Sequence, residues 1–186
     1  MPQPSETDAE LIDRWRRGDE AAATELVRRH ATAVARFLGA AGAGDEVEDL
    51  VQEAFFRAFR GLDRFRGGAS FRTWVMTIGS NALKDFRRRQ RGRWTVSLET
   101  EDLADRRADP QADLLFRDAA RRVEQEVPRL PRMQRDVFLL RAQQDLEYEE
   151  IARVLGTTPG AARVHYHHAV QRLKRAAEGQ GGDGHA

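Results

Sequence analysis

The feature that most limits the possible folds is an apolar stripe between Val47 and Leu62. Eight apolar side chains follow one another there in alternating steps of three and one residues. This spacing places all of them on one side of an α-helix, whereas no segment of the chain alternates with the period of two that a half-buried strand shows. We therefore predict an all-α fold. The opposite side of this helix carries Asp45, Asp49, Gln52, Glu53, Phe56, Arg57 and Arg60.

Further helical segments lie on both sides of this stripe. The apolar residues from Asp8 to Leu38 have helical spacing, with a break predicted at Gly18-Asp19. Ser70 is a predicted N-cap for a helix whose apolar series runs from Phe71 to Phe86. Asp109-Pro110 and Leu130-Pro131 each predict a helix that begins with proline in its first turn.

Charge is segregated along the chain although the net charge is only +1. Arg57 to Arg93 contains eleven Lys or Arg against two acidic residues, whereas Leu98 to Asp118 contains seven acidic residues against three Arg. This pattern predicts a polyanion-binding module joined to an acidic linker, although a charge run alone is more often a solvated face. We expect two small helical domains, residues 1–94 and 110–178, with a flexible acidic linker at 95–109 and a disordered tail at 179–186.

Composition argues against several other classes of protein. The chain has no cysteine, which excludes disulfides and thiol catalysis and fits a reducing cytoplasm. Its acidic N-terminal segment and the absence of a long apolar run predict neither a signal peptide nor membrane insertion. Paired carboxylates such as Glu149 and Glu150 occur without a phosphate-binding loop or a nucleophile motif, and His165 and His168 lack further ligands nearby. We therefore predict no enzyme activity, no cofactor and no metal site.

Glu147 to Leu173 has the pattern of a helix-turn-helix. A short apolar helix ends at Gly156, and Thr158-Pro159 caps and begins a second helix. That second helix carries several basic residues, with no acidic residue between Thr157 and Ala177. An unopposed basic helix fits the DNA major groove. The alternative is a plain helical hairpin with a basic solvent face.

Two segments together resemble one family. LPRMQRDVFLLRAQQDLEYEEIARVLGTTPGAARVHYHHAVQRLKR, Leu130 to Arg175, resembles the promoter-reading C-terminal domain of extracytoplasmic-function (ECF) sigma factors. DLVQEAFFRAFRGLDRFRGGASFRTWVMTIGSNALKDFRRR, Asp49 to Arg89, resembles their N-terminal domain. Both occur in the family's order with an acidic linker between them. The resemblance implies a sigma factor of RNA polymerase that directs transcription initiation in the cytoplasm.

The resemblance also implies partners and contact residues. The core polymerase, through the clamp of its largest catalytic subunit and its flap region, promoter DNA and an anti-sigma factor are the expected partners. The residues expected to bind the clamp are Asp49, Gln52, Glu53 and Phe56. A solvated helix face would explain the two acidic residues equally well, but an exposed Phe56 fits it poorly.

The loop and helix that follow are expected to hold the unwound non-template strand of the minus-10 element. Phe71 and Trp74 lie on the apolar stripe of that helix, so we predict that they belong to the core. Polar and basic residues are therefore assigned to the strand, namely Arg66, Ser70, Asn81, Lys84 and Arg88.

The helix beginning at Pro159 is expected to read the minus-35 element, with contacts from Thr158, Arg163, His165, His167, Arg172 and Lys174. Glu147 stands where the family usually has Ser or Thr, so the first helix of the motif is expected to start poorly or one residue earlier. Ala161 and Val164 replace commonly polar residues, so the resemblance does not specify the minus-35 sequence. The competing hypothesis is a helix-turn-helix activator or repressor that binds duplex DNA without polymerase.

Overall fold

The computed structural model describes residues 6–93 and 114–179, and within these ranges it contains α-helices and no strands. The predicted all-α fold is confirmed. The eight helices are α1 Asp8–Arg16, α2 Glu20–Leu38, α3 Val47–Arg60, α4 Phe71–Arg93, α5 Leu114–Glu126, α6 Arg132–Ala142, α7 Tyr148–Leu155 and α8 Pro159–Ala177. The predicted linker at 95–109, the helix start at Asp109-Pro110 and the tail beyond Gly179 lie outside the described residues.

Local caps set the boundaries of the first two helices. Thr7 and Glu10 form a capping box at the start of α1. The Asp19 carboxylate accepts a hydrogen bond of 3.0 Å from the backbone N–H of Ala21 and caps α2. Gly18 has a φ of 90°, which turns the chain between the helices. The predicted break at Gly18-Asp19 is therefore confirmed.

The apolar stripe of α3 packs against α2 and α4. Leu50, Ala54 and Ala58 are buried within this contact, as the spacing predicts. The Ser70 hydroxyl accepts a hydrogen bond of 3.1 Å from the backbone N–H of Thr73, so Ser70 is the N-cap of α4. One face of α3 is thereby buried and the other is left free for a partner.

The turn between α2 and α3 connects both halves of the chain. Gly39–Ala43 forms a single π-helical turn in which Gly42 has a φ of 97°. The backbone carbonyl of Ala41 accepts hydrogen bonds from the guanidinium groups of Arg87 in α4 and Arg135 in α6. Side chains far apart in sequence therefore converge on one carbonyl.

The helix-turn-helix has the predicted caps. Gly156 ends α7 with a φ of 70°, and the Thr158 hydroxyl accepts a 3.1 Å hydrogen bond from the backbone N–H of Ala161. Glu147 occupies the N-cap position of α7, where its own backbone N–H donates to the Glu150 carboxylate at 3.3 Å. The Glu150 carboxylate thus satisfies the backbone N–H of Glu147, and α7 begins at the next residue, Tyr148. The expected earlier start is not seen.

Pro131 occupies a slightly different place from the one predicted. It precedes α6 as its N-cap, with φ of −49° and ψ of 135°, and α6 itself begins at Arg132. The extended ψ places Pro131 just outside the first turn, where its missing N–H costs no hydrogen bond.

The two halves share a continuous buried cluster. Its members include Phe71 and Val75 of α4 together with Ile151 and Leu155 of α7. α4 and α7 pack directly against each other, so the helix-turn-helix rests on the N-terminal half. Within the described ranges, no helix is long and apolar enough to cross a membrane.

Candidate nucleic-acid interface

The polar face of α3 presents an aromatic ring to solvent. Phe56 is 58% exposed, and the guanidinium carbon of Arg60 lies 5.5 Å from its ring centroid. Asp49 and Gln52 are exposed on the same face, whereas Glu53 is half-buried and paired with Arg57. The four residues assigned to polymerase docking therefore lie on one accessible face. This face thus combines one exposed aromatic ring with charged and polar side chains.

The loop before α4 borders an open pocket of about 320 Å³. It is lined by Ala9, Ile12, Asp13, Arg16, Phe65, Arg66 and Gly67. The Arg16 guanidinium donates to the backbone carbonyls of Leu62 and Phe65, each at 3.2 Å. α1 therefore holds the loop that carries Arg66. Sequence reasoning missed Arg16, because nothing in the chain's periodicity signals a contact across more than forty residues.

The minus-10 residues predicted on α4 differ in accessibility. Asn81 and Arg88 are exposed, and Arg88 pairs with Asp85 at 3.1 Å. Ser70 is exposed but its hydroxyl lies 2.8 Å from that of Thr73. Lys84 is half-buried and donates to the carbonyl of Leu155 at 2.9 Å, and this burial lowers the pKa of its ammonium group. Lys84 therefore contacts the second half of the chain in this arrangement.

Two aromatic residues of α4 have the role that the stripe predicts. Phe71 is buried in the core, and Trp74 is half-buried and packed against it. Both rings therefore belong to the core rather than to an exposed surface.

Further polar contacts connect α4 to the helix-turn-helix. The buried Thr73 hydroxyl donates to the Glu150 carboxylate at 2.6 Å. The Arg72 guanidinium donates to the backbone carbonyl of Gln144 at 2.9 Å. Both contacts lie along the stretch of α4 between Ser70 and Lys84. The middle of the predicted minus-10 face is therefore covered by α7 and the segment before it.

A buried carboxylate lies near the same boundary. Asp136 of α6 lies 3.6 Å from Nε of Arg132 and 3.9 Å from Nε of Arg135. Burial raises the pKa of this carboxyl, while the nearby Arg135 and Arg87 act in the opposite direction. The positive charge of these arginines is partly neutralised, so it contributes less to binding a polyanion.

The residues predicted on α8 fall into two groups. Thr158, Arg163, His167 and Lys174 are exposed. His165 is half-buried, and its Nδ1 is buried without a hydrogen-bond partner among the described residues. Arg172 is half-buried and paired with Glu126 of α5 at 2.6 Å. The exposed group lies on the outward side of α8, whereas His165 and Arg172 lie on its flanks.

Tyr148 orients two basic side chains beside this surface. The guanidinium carbons of Arg141 and Arg163 lie 5.4 Å and 5.0 Å from its ring centroid. Arg163 at the start of α8 is therefore in cation-π contact with α7. With no acidic residue in α8, this end of the molecule offers cationic and polar groups to a nucleic acid.

Comparisons with known proteins show the family to which the chain belongs. Residues 25–93 match the family model for Sigma-70 region 2, and residues 120–173 match that for Sigma-70, region 4. The ECF RNA polymerase sigma-E factor of Escherichia coli K12 is 32% identical over 84% of this chain and 87% of its own length. The chain belongs to the ECF sigma factors.

Other members of the family give the same picture. The sigma-E factor of Haemophilus influenzae is 30% identical over 84% of this chain and 88% of its own length. The solved structure of CnrH in complex with the cytosolic domain of CnrY superposes with a TM-score of 0.66. It is 26% identical and covers 92% of this chain and 97% of CnrH. The fold is also that of RpoE in its complex with the anti-sigma factor NepR from Bartonella quintana, with a TM-score of 0.66.

This ECF sigma factor thus has both halves of the family's architecture. An independent helix-turn-helix regulator would account for residues 120–173 but not for the match over residues 25–93. The protein is an RNA polymerase sigma factor that acts in promoter-specific transcription initiation, and the competing hypothesis of an independent activator or repressor is rejected.

Proposed function

We propose that the exposed face of α3 docks this sigma factor on the clamp of the largest core polymerase subunit. Phe56 carries this proposal, because a ring that is 58% exposed gains from burial against a partner. Asp49 and Glu53 flank it with negative charge and Gln52 adds a polar group. A basic and apolar surface on the polymerase would complement this face.

Charge reversal tests the docking face. Asp49→Lys with Glu53→Lys should weaken assembly with core polymerase in a pull-down, because both side chains lie beside Phe56. The buried stripe of α3 is untouched, so the free energy of unfolding should change by only about 0.5 kcal/mol per site. The matched control is Asp63→Lys with Glu124→Lys, which changes the charge equally at exposed residues elsewhere. Equal assembly by both double variants would contradict the docking proposal.

The second part of the proposal concerns the minus-10 element. Arg66, Ser70, Asn81, Lys84 and Arg88 hold the unwound non-template strand. The open pocket beside Arg66 and Gly67 accepts the flipped base, because Phe65 and Ile12 supply apolar contact there and Arg16 supplies donors. Gly67 has a φ of 74° and no atom near the position of a side chain, so the strand can approach the backbone closely.

The third part concerns the minus-35 element. α8 enters the major groove with its N-terminal end foremost, so that Arg163 meets base edges while Lys174 meets phosphate. Thr158 and His167 add polar contacts from the same outward side. His165 and Arg172 contribute less, since one is half-buried and the other is paired with Glu126.

The proposed partners are core polymerase, promoter DNA and an anti-sigma factor. The structural relatives CnrH and RpoE were each solved with a bound protein, which supports the last of these. We place the protein in the cytoplasm, where promoter DNA and polymerase meet, as an initiation factor without catalytic activity of its own. Run-off transcription with purified core polymerase and a promoter library tests the proposal as a whole.

A further inference from the structure

Val164 is an exposed apolar residue on the DNA-facing helix. Among the described residues, two large apolar side chains are strongly exposed, Phe56 at 58% and Val164 at 53%. The first lies at the centre of the docking face. The second lies on the outward side of α8, opposite the buried Ala162 and Ala169. Since valine is β-branched and a weak helix former, neither helix stability nor solvation explains its presence there.

The residues at the start of α8 have small side chains, which lets Val164 approach a base edge. Gly160 has nothing within 4 Å of the position that a side chain would take, and Ala161 adds only a methyl group. The guanidinium carbon of Arg163 lies 5.0 Å from the centroid of the Tyr148 ring, so this side chain contacts α7. Gly160 and Ala161 therefore add little bulk ahead of Val164, and Arg163 is the long side chain beside it.

The chemistry of the groove limits what Val164 can recognise. Valine offers no hydrogen-bond donor or acceptor, so it cannot pair with the polar edges of the bases. The 5-methyl group of thymine is the apolar group that the major groove exposes. Contact between the two removes apolar surface of both from water.

We propose that Val164 reads the 5-methyl group of a thymine in the minus-35 element. The proposal rests on the assignment of α8 to that element and names one base within it. Val164 would then determine specificity through apolar contact, whereas the neighbouring Arg163 would do so through hydrogen bonds. Thymine is selected at this position by the burial of one methyl group.

Deoxyuridine provides the direct test, because it pairs as thymine does and lacks only the methyl group. Promoters selected by the wild-type holoenzyme are synthesised with deoxyuridine at each minus-35 thymine in turn, and run-off transcription is measured. Run-off transcription by the wild type should fall about three- to fivefold when deoxyuridine replaces thymine at one position, because the contact with one buried methyl group is lost. On the thymine promoter, Val164→Ala should transcribe less than the wild type by a similar factor. Replacing that thymine with deoxyuridine should not reduce transcription by Val164→Ala any further. Gln171→Ala, another exposed uncharged position of α8, should keep the wild-type sensitivity.

Equal sensitivity of the wild type and Val164→Ala to every deoxyuridine would overturn the proposal, as would a selected element without thymine. A loss in Val164→Ala that is the same on all promoters would assign the residue to a protein contact instead. Lys174→Ala separates this failure from that of the broader assignment. If Lys174→Ala still weakens transcription from minus-35 promoters, α8 remains the reading helix and only the role of Val164 is refuted.

Discussion

α4 and α8, the two helices proposed to contact DNA, differ in what covers them. α4 contacts the other half of the molecule through Thr73 and Lys84, which bond to Glu150 and to the carbonyl of Leu155. Among the described residues, no hydrogen bond joins the outward side of α8 to the N-terminal half, and Arg163 and Lys174 are exposed there. The minus-10 face is therefore sensitive to how the two halves are arranged, whereas the minus-35 face depends on local structure alone.

This difference has a consequence for promoter binding. If the proposed assignments hold, a strand that reaches Lys84 or the start of α4 should displace α7, while duplex DNA should meet α8 without such a movement. The apparent affinity for the minus-10 strand should then equal the intrinsic affinity multiplied by the fraction of molecules in the open arrangement. The two elements should respond differently to any change that separates the halves.

The largest expected effect comes from Thr73→Glu. It places a second carboxylate against Glu150, and two unit charges about 4 Å apart repel by about 4 kcal/mol at an effective dielectric constant of 20. The start of α4 should stay intact, since Ser70 with Glu at the third helical position forms a capping box. We expect the radius of gyration in small-angle X-ray scattering to increase. The affinity for a single-stranded minus-10 oligonucleotide should rise by about tenfold.

Two controls sharpen this result. Thr73→Gln has the same size without the charge and should stay closed. The double variant Thr73→Glu, Glu150→Gln keeps the added charge near the DNA but removes the repulsion, so it should close again. Affinity for a minus-35 duplex should stay constant in all three. An unchanged radius and strand affinity in Thr73→Glu would show that the contact does not restrict the minus-10 face.

Sequence patterns predicted what depends on neighbours along the chain. The break at Gly18-Asp19 and the caps at Ser70 and Thr158 follow from residue types next to apolar periodicity, and so do the exposure of Phe56 and the burial of Phe71. The bond from Thr73 to Glu150 joins residues 77 positions apart, and no local pattern encodes it. The sequence also could not predict that Arg172 pairs with Glu126. That ion pair depends on how α5 packs against α8.

On the open side, Arg163→Ala should change sequence preference. A guanidinium that bonds guanine bidentately contributes about 1–3 kcal/mol of discrimination. Transcription from a randomised minus-35 library should lose preference at one or two base pairs. If transcription from every promoter instead decreases by the same factor, Arg163 contacts phosphate rather than a base.

On the covered side, Asn81→Ala and Arg88→Ala test the exposed flank of α4. Each should lower open-complex formation on duplex promoters by up to about tenfold, the effect of one hydrogen bond to a charged group. Templates already mispaired across the minus-10 region should show a smaller loss, because melting is no longer required. Permanganate footprinting measures the difference. Arg28→Ala, at an exposed basic residue of α2, is the control and should affect neither template. Equal defects on both templates would count against strand capture.

The smallest expected effect separates Lys174 from Arg172 on α8. Lys174 is exposed and free to release a counterion from DNA, whereas Arg172 is half-buried and paired with Glu126 at 2.6 Å. Lys174→Ala should therefore weaken all minus-35 promoters alike and reduce the slope of log affinity against log salt by about 0.9. Arg172→Ala should reduce that slope less, and should instead loosen the packing of α5 on α8, seen as a lower melting temperature. Equal slopes of log affinity against log salt for both variants would contradict this distinction. They would mean that Arg172 leaves Glu126 and binds phosphate when DNA binds. The charge of Arg172 would then be as available to the promoter as that of Lys174.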